Sequence, residues 1–482
     1  MTVNYLIKCP VCGTITRMRS PAGYVYRTPV RIHCGKCNTL LTGEFISDNE
    51  KVEAYYVPLN CEKVTNQAYD YYGEASGELI CKKIVYLPDM GIVPPPGASP
   101  VFAFLDSMSQ RNKDNFINYV CYCEDLNRNW DKEQIKYKLY NDKQIELIKT
   151  KFSKVADESG YSLDSDFDVL KYIYYSLFYD CGGIFRENEI KDKLSEINRH
   201  FRHLDKPALL EFINELETSS RLSLAQKKLF ENFFAFVQVF LNLVPAIGAN
   251  LYDNPSSIDK KYLGLTTCTF TDIKQFYQDA YENLLEISDV VVGLDNIETR
   301  KSYNAFMTKL TMPKFRKQSK GNRIKILNQS SFFSKELNLM SNAQEVRNAI
   351  GHNDFTYNGI TQTIDYVVLS SGINKQTYLL DIAIECVHLM KSTFILSFYV
   401  YELYRYKHRV GNESIALNPI FYRKTKNQDR CPCGSGKKYK DCCKSIIEIN
   451  KKKQYRTYPN RSNMTIIPQL DRNRKTNWFS KR

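Results

Sequence analysis

The stretch QEVRNAIGHNDF, residues 344–355, pairs an arginine with a histidine near the end of a predicted helix. Arg347 offers a rigid fork of donors that suits a phosphate, and His352 can gain or lose a proton near neutral pH. Residues five apart lie about 500° apart around a helix, so these two side chains do not share a face. Asn348 and His352, four residues apart, do share one. The pattern predicts that Arg347 reaches around its helix or meets a histidine from a second copy of the chain.

This segment resembles the R-x4-6-H motif of HEPN domains, in the form Arg-Asn-Ala-Ile-Gly-His. The resemblance implies a HEPN-like helical domain, placed at residues 301–410, and a metal-independent endoribonuclease whose active site forms where two copies of the motif meet. His352 would act as general acid or base, Arg347 would hold the phosphate, and Asn348 would orient His352 or contact RNA. The products would be a 2′,3′-cyclic phosphate and a 5′-hydroxyl. The resemblance also implies a role as a bacterial toxin or an anti-phage defence effector.

The same residues also have a purely structural interpretation. Arg347 can pair with Glu345 or with the helix end, and His352 can cap the exit from the helix. Gly351 fits both interpretations, because glycine inside a helix costs about 1 kcal/mol against alanine and is typical of a helix end or a close backbone approach. The sequence therefore leaves catalysis and architecture open at this site.

Two Cys-x-x-Cys pairs lie close together near the N-terminus. Four thiolates in this arrangement can hold one zinc ion tetrahedrally, and glycine beside or within each pair lets the backbone turn tightly around sulfur. The residues between the pairs are typical of short strands, so residues 1–45 resemble a zinc ribbon. A redox dithiol is the alternative. The predicted ligands are Cys9, Cys12, Cys34 and Cys37.

A second cysteine cluster, CPCGSGKKYKDCC, occupies residues 431–443 with the spacing Cys-x-Cys-x8-Cys-Cys. Its spacing and its glycine- and lysine-rich filling resemble the SEC-C motif, placed at residues 425–446. The resemblance implies a small zinc knuckle that docks a protein or the ribosome. A site closed by four thiolates does no chemistry itself. The implied ligands are Cys431, Cys433, Cys442 and Cys443, so the whole chain is expected to hold two structural zinc ions.

The chain has 482 residues and a net charge of +14, with abundant tyrosine and phenylalanine. This length exceeds what one core usually supports, so the sequence predicts a mainly α, multidomain protein with a β zinc ribbon at its N-terminus. A basic, aromatic-rich chain suits RNA or DNA, although an anionic membrane would also attract it. Clustered cysteines without a signal peptide predict a cytoplasmic protein with zinc sites rather than disulfides.

The remaining segments are assigned by pattern. Residues 46–100 alternate as strands, notably 52–57 and 78–86, and end in a proline-rich linker. Helical spacing dominates residues 101–300, which we predict to be a helical domain. Residues 447–482 are basic, lack apolar periodicity and are predicted to be disordered.

Three features of the helical region have two interpretations each. The apolar run 233–249 is predicted to be a buried core helix rather than a membrane span, because it falls short of a comfortable span. The basic stretch 313–326 is either a solvated face or a track for a phosphate backbone. His200 and His203, among basic residues, are predicted to lie on a solvated face rather than to bind metal.

The sequence favours two functions, and a transcription regulator that binds DNA through the zinc ribbon is a third, although no helix-turn-helix with a clear basic recognition helix is found. The first is the endoribonuclease, in which zinc modules position RNA or a partner and a homodimer completes the site. The second is a non-catalytic adaptor that docks a protein or the ribosome through the SEC-C motif. Membrane insertion is not expected. The feature that separates the two functions is whether Arg347 and His352 meet in an open, basic cleft.

Overall fold

The computed structural model describes residues 2–48, 51–89, 108–159, 161–185, 187–329, 345–368, 371–407, 424–432 and 436–448. Strands occupy the N-terminal region and helices occupy most of the rest, which confirms the mainly α layout. A small hydrophobic cluster lies within the N-terminal strands, and a large one runs through the helical body. The proline-rich linker and nearly all of the basic tail lie outside the described residues.

The N-terminal β unit contains two sheets. Its strands are β1 (Thr2–Lys8), β2 (Ile15–Pro21), β3 (Arg27–His33), β4 (Leu40–Asp48), β5 (Glu53–Pro58), β6 (Glu62–Val64), β7 (Tyr71–Glu74), β8 (Cys81–Lys82) and β9 (Val85–Tyr86). One sheet has the order β6-β1-β2-β7-β9, with β2 and β7 parallel, and the other has the antiparallel order β3-β4-β5. Strand pairing therefore crosses the boundary predicted at residue 45. The strand predicted over 78–86 forms only as the short pieces β8 and β9.

Alternate side chains of the β3-β4-β5 sheet point into a shared core. Val30 and Ile32 of β3 are buried, as are Leu41 and Phe45 of β4. This alternation is what a strand with one covered face requires. The core is small, and it includes Cys9 and Cys34 of the first cysteine cluster, while Cys12 and Cys37 pack against it.

The helical body is built from long helices and one three-stranded sheet. Its helices are α1 (Gln110–Asn141), α2 (Ile145–Glu158), α3 (Asp166–Cys181), α4 (Glu187–His203), α5 (Lys206–Thr218), α6 (Arg221–Ala249), α7 (Phe270–Glu286), α8 (Ser288–Arg300), α9 (Met312–Arg316), α10 (Lys320–Leu327), α11 (described from 345 to 352) and α12 (Leu379–Lys407). Its strands are β10 (Leu263–Gly264), which pairs with β8, and β11 (Phe355–Asn358), β12 (Thr363–Val368) and β13 (Ile373–Tyr378).

Two of the helices begin with side-chain caps that the sequence supplies. Ser165 precedes α3 and exchanges hydrogen bonds with Asp168, while Thr269 precedes α7 and does the same with Asp272. Such a capping box satisfies backbone N–H groups that have no partner within the helix. These caps fix where α3 and α7 start.

Helices α6 and α12 form the centre of the body. They pack against each other, both pack against α7, and α6 also packs against α1. Among the described helices, α6 is long and apolar enough to cross a membrane by length and composition, yet most of that apolar stretch is buried inside the protein. A helix that is apolar on all sides suits a core position. The run 233–249, predicted to be a buried core helix, forms the C-terminal part of α6.

The basic stretch 313–326 forms α9 and α10 and turns two of its arginines inward. Arg316 donates to Asp289 at 2.6 Å and binds the carboxylate of Glu215 with two bonds of 2.7 and 3.0 Å. Arg323 is buried and donates to a main-chain carbonyl of α7 at 3.1 Å. These cations are therefore not available to track a phosphate backbone. The exposed lysines of the stretch are Lys314, Lys317, Lys320 and Lys325.

His200 does not lie on the solvated face predicted for it. Its imidazole is buried, with Nδ1 placed 3.1 Å from Glu298 Oε2. Burial lowers the pKa of His200 to about 4, so the ring is neutral near pH 7. His203, three residues later, is exposed as expected. The sequence alone could not distinguish the two histidines, because it does not show which face of α4 packs against the body.

Replacing Glu78 with glutamine is expected to remove a pH-dependent part of the free energy of unfolding. The buried Glu78 carboxylate accepts a hydrogen bond from the backbone of Val25 at 2.9 Å, and burial raises its pKa to about 7. The folded chain therefore binds this proton more tightly than the unfolded chain. The resulting stabilisation is fully present below about pH 4.5 and is lost as the pH rises through 7, by roughly 3 kcal/mol.

Urea denaturation at about pH 5 and about pH 8 measures this loss. Glutamine keeps the accepting oxygen and has no proton to release, so Glu78→Gln should lose less stability over that interval than the native chain. Glu146→Gln, at an exposed carboxylate of α2, is the control and should behave as the native chain does. Equal losses in all three proteins would contradict the prediction.

Candidate zinc sites and the Arg-His surface

Two loops bring the N-terminal cysteines together. Cys9 and Cys12 lie between β1 and β2, and Cys34 and Cys37 lie between β3 and β4. All four sulfur atoms lie within 4.8 Å of one another, with 3.6 Å from Cys9 to Cys37 and 3.5 Å from Cys12 to Cys34. Tetrahedral zinc–sulfur bonds of about 2.3 Å require sulfur atoms about 3.8 Å apart. The four residues fit one zinc ion.

Both loops close in the same way, one residue after the second cysteine. Gly13 has a φ of 74° and Asn38 a φ of 58°, a left-handed conformation that glycine and asparagine adopt most readily. The amide of Gly13 donates to the carbonyl of Cys9 at 3.0 Å, and that of Asn38 to Cys34 at 2.9 Å. The expected glycine turn is found in the first loop. In the second loop an asparagine makes the turn.

Threonine side chains favour the deprotonated form of two of these thiols. Thr14 Oγ1 lies 3.2 Å from Cys12 Sγ, and Thr39 Oγ1 lies 3.2 Å from Cys37 Sγ. The hydrogen bond from Thr39 lowers the pKa of Cys37 to about 6, and the one from Thr14 lowers the pKa of Cys12. Because thiolates rather than thiols bind zinc, these bonds favour the form that the ion needs.

The C-terminal cluster brings Cys431, Cys442 and Cys443 together, with their sulfur atoms within 4.8 Å of one another. Cys442 Sγ and Cys443 Sγ are 3.7 Å apart, which again suits a tetrahedral zinc ion. Cys433, the fourth ligand implied by the resemblance, lies outside the described residues. Three thiols of this cluster can therefore be placed around one ion, as the two-zinc expectation requires.

The knuckle that carries this cluster is seated on the helical body. Cys431, Tyr439 and Cys443 are buried and belong to the large hydrophobic cluster of the helices. Gly436 lies so close to α4 that a Cβ atom there would be 3.0 Å from the guanidinium of Arg202. The knuckle thus shares its core with the body, while its lysines Lys437, Lys438 and Lys440 are exposed.

Arg347 is half-buried where α11 meets α7. Its guanidinium forms an ion pair with Glu282 and donates to Asn348 Oδ1 at 2.9 Å. Lys320 of α10 pairs with the same Glu282 carboxylate. Arg347 therefore has an acidic partner, but that partner is not the Glu345 considered from the sequence. Arg347, Lys320 and Glu282 form a cluster of two cations and one carboxylate, which carries one net positive charge.

His352 is exposed at the end of α11, and the described residues offer its imidazole no hydrogen bond and no ion pair. The helix ends immediately after it, at Asn353 with a φ of 57°. Among the described residues, a Cβ on Gly351 would meet only Gln278, at 3.9 Å, so this part of the structure favours the helix end over a close backbone approach. Among the described residues of one chain, contacts join Arg347 to Asn348 and do not extend to His352.

Glu282 and Lys320 are members of this surface that the sequence did not indicate. Both lie far from Arg347 along the chain and reach it only because α7 and α10 pack beside α11. Neither residue belongs to a recognisable motif. The nearby basic stretch 313–326 offered a general signal, but it did not distinguish Lys320 from its neighbours.

Comparison with known proteins identifies one part of the chain. The SEC-C motif family matches residues 429–445, in agreement with the expected knuckle. No curated protein and no solved structure matches the chain. The HEPN resemblance of residues 344–355 has no counterpart in these comparisons and depends on the motif alone. Residues 429–445 are thus a SEC-C motif, in a protein whose second cysteine cluster, at the N-terminus, can also hold zinc.

Proposed function

We propose that this protein is a metal-independent endoribonuclease whose active site contains Arg347, Asn348 and His352. The environment of His352 supports this proposal best. Its imidazole is exposed and has no partner among the described residues. Asn348, four residues earlier on the same face of α11, contacts Arg347. An exposed histidine that contacts none of the described residues is available for proton transfer to a substrate.

RNA brings its own nucleophile to this reaction. The 2′-oxygen attacks phosphorus, the bond to the 5′-oxygen breaks, and a 2′,3′-cyclic phosphate and a 5′-hydroxyl remain. One imidazole takes the proton from the 2′-hydroxyl and another supplies a proton to the leaving 5′-oxygen. Two copies of His352 in a homodimer provide both groups. Arg347 neutralises the charge that develops on the phosphate.

Glu282 prepares Arg347 for this task. The ion pair holds the guanidinium in one orientation, and Arg347 exchanges the carboxylate for a phosphate when RNA arrives. Lys320 already contacts the same carboxylate, so Glu282 keeps a cationic partner after the exchange. A partly buried carboxylate that loses every partner destabilises the fold, and Lys320 limits that loss.

The test is incubation of the zinc-loaded protein with RNA without added metal ions, in EDTA at a concentration that leaves both zinc ions bound by metal analysis. His352→Ala and Arg347→Ala should each lower the cleavage rate by about 100-fold or more while zinc content and folding stay the same. Arg347→Lys should also fail, because an ammonium cannot reproduce the two-pronged contact. His203→Ala removes another exposed histidine and should cut RNA as the native protein does. Cleavage that survives His352→Ala, or that requires added magnesium, would refute the proposal.

A non-catalytic adaptor is the second candidate, and the SEC-C match at residues 429–445 favours it. In that case the exposed Lys437, Lys438 and Lys440 would contact an acidic partner such as a protein or the ribosome. Charge-reversing substitution of these three lysines would then abolish partner binding in a sedimentation assay with ribosomes. An adaptor would cut no RNA in the assay above.

A further inference from the structure

We infer that the N-terminal zinc cluster positions the Arg-His surface, through a direct contact between His33 and the β11–β12 hairpin. His33 ends β3 and directly precedes the zinc loop, which contains Cys34 and Cys37. His33 and Gly359 are then positioning residues. The consequence for cleavage rests on the proposed function, whereas the link between the zinc loop and the hairpin does not. The inference concerns two regions that are more than 300 residues apart in the sequence.

The hairpin is tied closely to the helix that carries His352. β11 begins at Phe355, and the amide of Asp354 still donates to the carbonyl of Ala349 inside α11, at 2.9 Å. The carbonyl of Asp354 in turn accepts from Val367 of β12 at 3.4 Å. A shift of the hairpin would therefore move the end of α11, where His352 lies.

The tip of the hairpin lies against His33. A Cβ atom on Gly359, in the turn between β11 and β12, would be 2.2 Å from two atoms of the His33 ring. No side chain fits at that distance, so the contact requires glycine. The ring of Tyr357 meets the same imidazole edge-on, with the ring centres 5.8 Å apart.

His33 is itself held by the zinc loop. It directly precedes the predicted ligand Cys34, and its Nδ1 lies 2.9 Å from the carbonyl oxygen of Asn38. The amide of Asn38 donates to the carbonyl of Cys34 at 2.9 Å, which closes the loop. Because zinc would fix Cys34 and Cys37, it would also fix the ring that the hairpin rests on.

The helical body holds the hairpin from the other side and would do so without zinc. Gln362 exchanges two hydrogen bonds with the backbone of Leu265. A separate bond of 2.6 Å, from Lys83 Nζ in the N-terminal β unit to the carbonyl of Thr361, does not involve His33. The ring of Phe355 packs edge-on against Phe270, with the ring centres 5.1 Å apart. Loss of the His33 contact should therefore loosen the hairpin rather than release it.

Hydrogen exchange on the full-length, zinc-loaded chain tests the link independently of any activity. Gly359→Ala should speed exchange across 355–368, because the added methyl group displaces the His33 ring or the hairpin. The double variant His33→Ala with Gly359→Ala should return exchange toward that of His33→Ala alone, since the clash is gone. Thr356→Ala, at an exposed position of β11, is the matched control and should exchange as the native chain does.

Removal of zinc with a chelator should produce the same loosening of 355–368 while α12 stays protected. If the Arg-His surface cuts RNA, Gly359→Ala should lower the rate by about tenfold or more, and the double variant should recover part of it. Native exchange in Gly359→Ala, or zinc removal that leaves 355–368 unchanged, would overturn the inference. A native chain that cuts no RNA would refute the proposed function alone, and a zinc-dependent hairpin would then still support the structural link.

Discussion

A chain with serine in place of Cys34 is expected to hold one zinc ion instead of two and to lose the fold of its N-terminal β unit. Cys34 is fully buried, and its sulfur lies 3.5 Å from that of Cys12. Serine is a poor zinc ligand, so three thiols would remain around an incomplete site. Structural zinc in small domains contributes about 10–16 kcal/mol to folding, and a β unit with a small core depends on a large part of that.

Metal analysis and near-UV circular dichroism of the reduced protein check this expectation. Cys61→Ser is the matched control, because this thiol lies in the same unit but contacts the Tyr56 hydroxyl at 3.2 Å and is not a predicted ligand. It should keep both ions. Cys443→Ser should lose the other ion and leave the β unit folded. A folded, reduced native chain without zinc would contradict the assignment of both clusters.

The features that could be predicted from sequence are those encoded locally. The spacing of the cysteines predicted both clusters, because two loops of fixed geometry need only a few residues each. The hairpin and α12 are encoded locally in the same way, the hairpin by the Asn358-Gly359 pair in its turn and α12 by its many apolar residues. β13 was missed, since its residues Ile373–Tyr378 are mostly exposed and polar and do not alternate.

The features that could not be predicted depend on which distant segments pack together. The sequence pattern assigned the residues of β6 and β7 to a region separate from the zinc ribbon, yet these strands pair with β1 and β2. Arg316 looked like part of a solvated basic run until α5 and α8 supplied its carboxylate partners. The partner of Arg347, Glu282, was hidden for the same reason, because helical period fixes a residue's face but not the helix that faces it.

Arg347 and His352 illustrate what the fold adds to a short motif. The five-residue spacing predicted that they would not share a helical face, and the contacts agree, since Arg347 turns toward α7 and His352 toward solvent. One copy of the chain therefore offers a guanidinium and an imidazole with different surroundings. The catalytic proposal consequently needs a second copy, because two copies of His352 serve as base and acid. Dimers of one native and one His352→Ala chain should therefore lose cleavage as the His352→Ala homodimer does.

Replacing Asp289 with alanine is expected to lower the free energy of unfolding of the helical body by about 3–5 kcal/mol. Its carboxylate is buried at the start of α8 and accepts two hydrogen bonds of 2.8 Å from Arg221 and one of 2.6 Å from Arg316. These bonds join α6, α8 and α9, and the position in the first turn of α8 also suits a negative charge. Alanine would leave two partly buried guanidinium groups near each other without the anion between them.

Urea denaturation measures the effect of this change. Asp289→Asn keeps the shape and should cost less than alanine, because one oxygen still accepts a hydrogen bond while the charge is lost. Glu286→Ala is the matched control, since this carboxylate also contacts Arg221, at 3.3 Å, but is 45% exposed. An exposed ion pair contributes about 1 kcal/mol or less, so the control should stay near native stability. If Asp289→Ala were no more destabilising than Glu286→Ala, the buried charge cluster would not be what holds α6, α8 and α9 together.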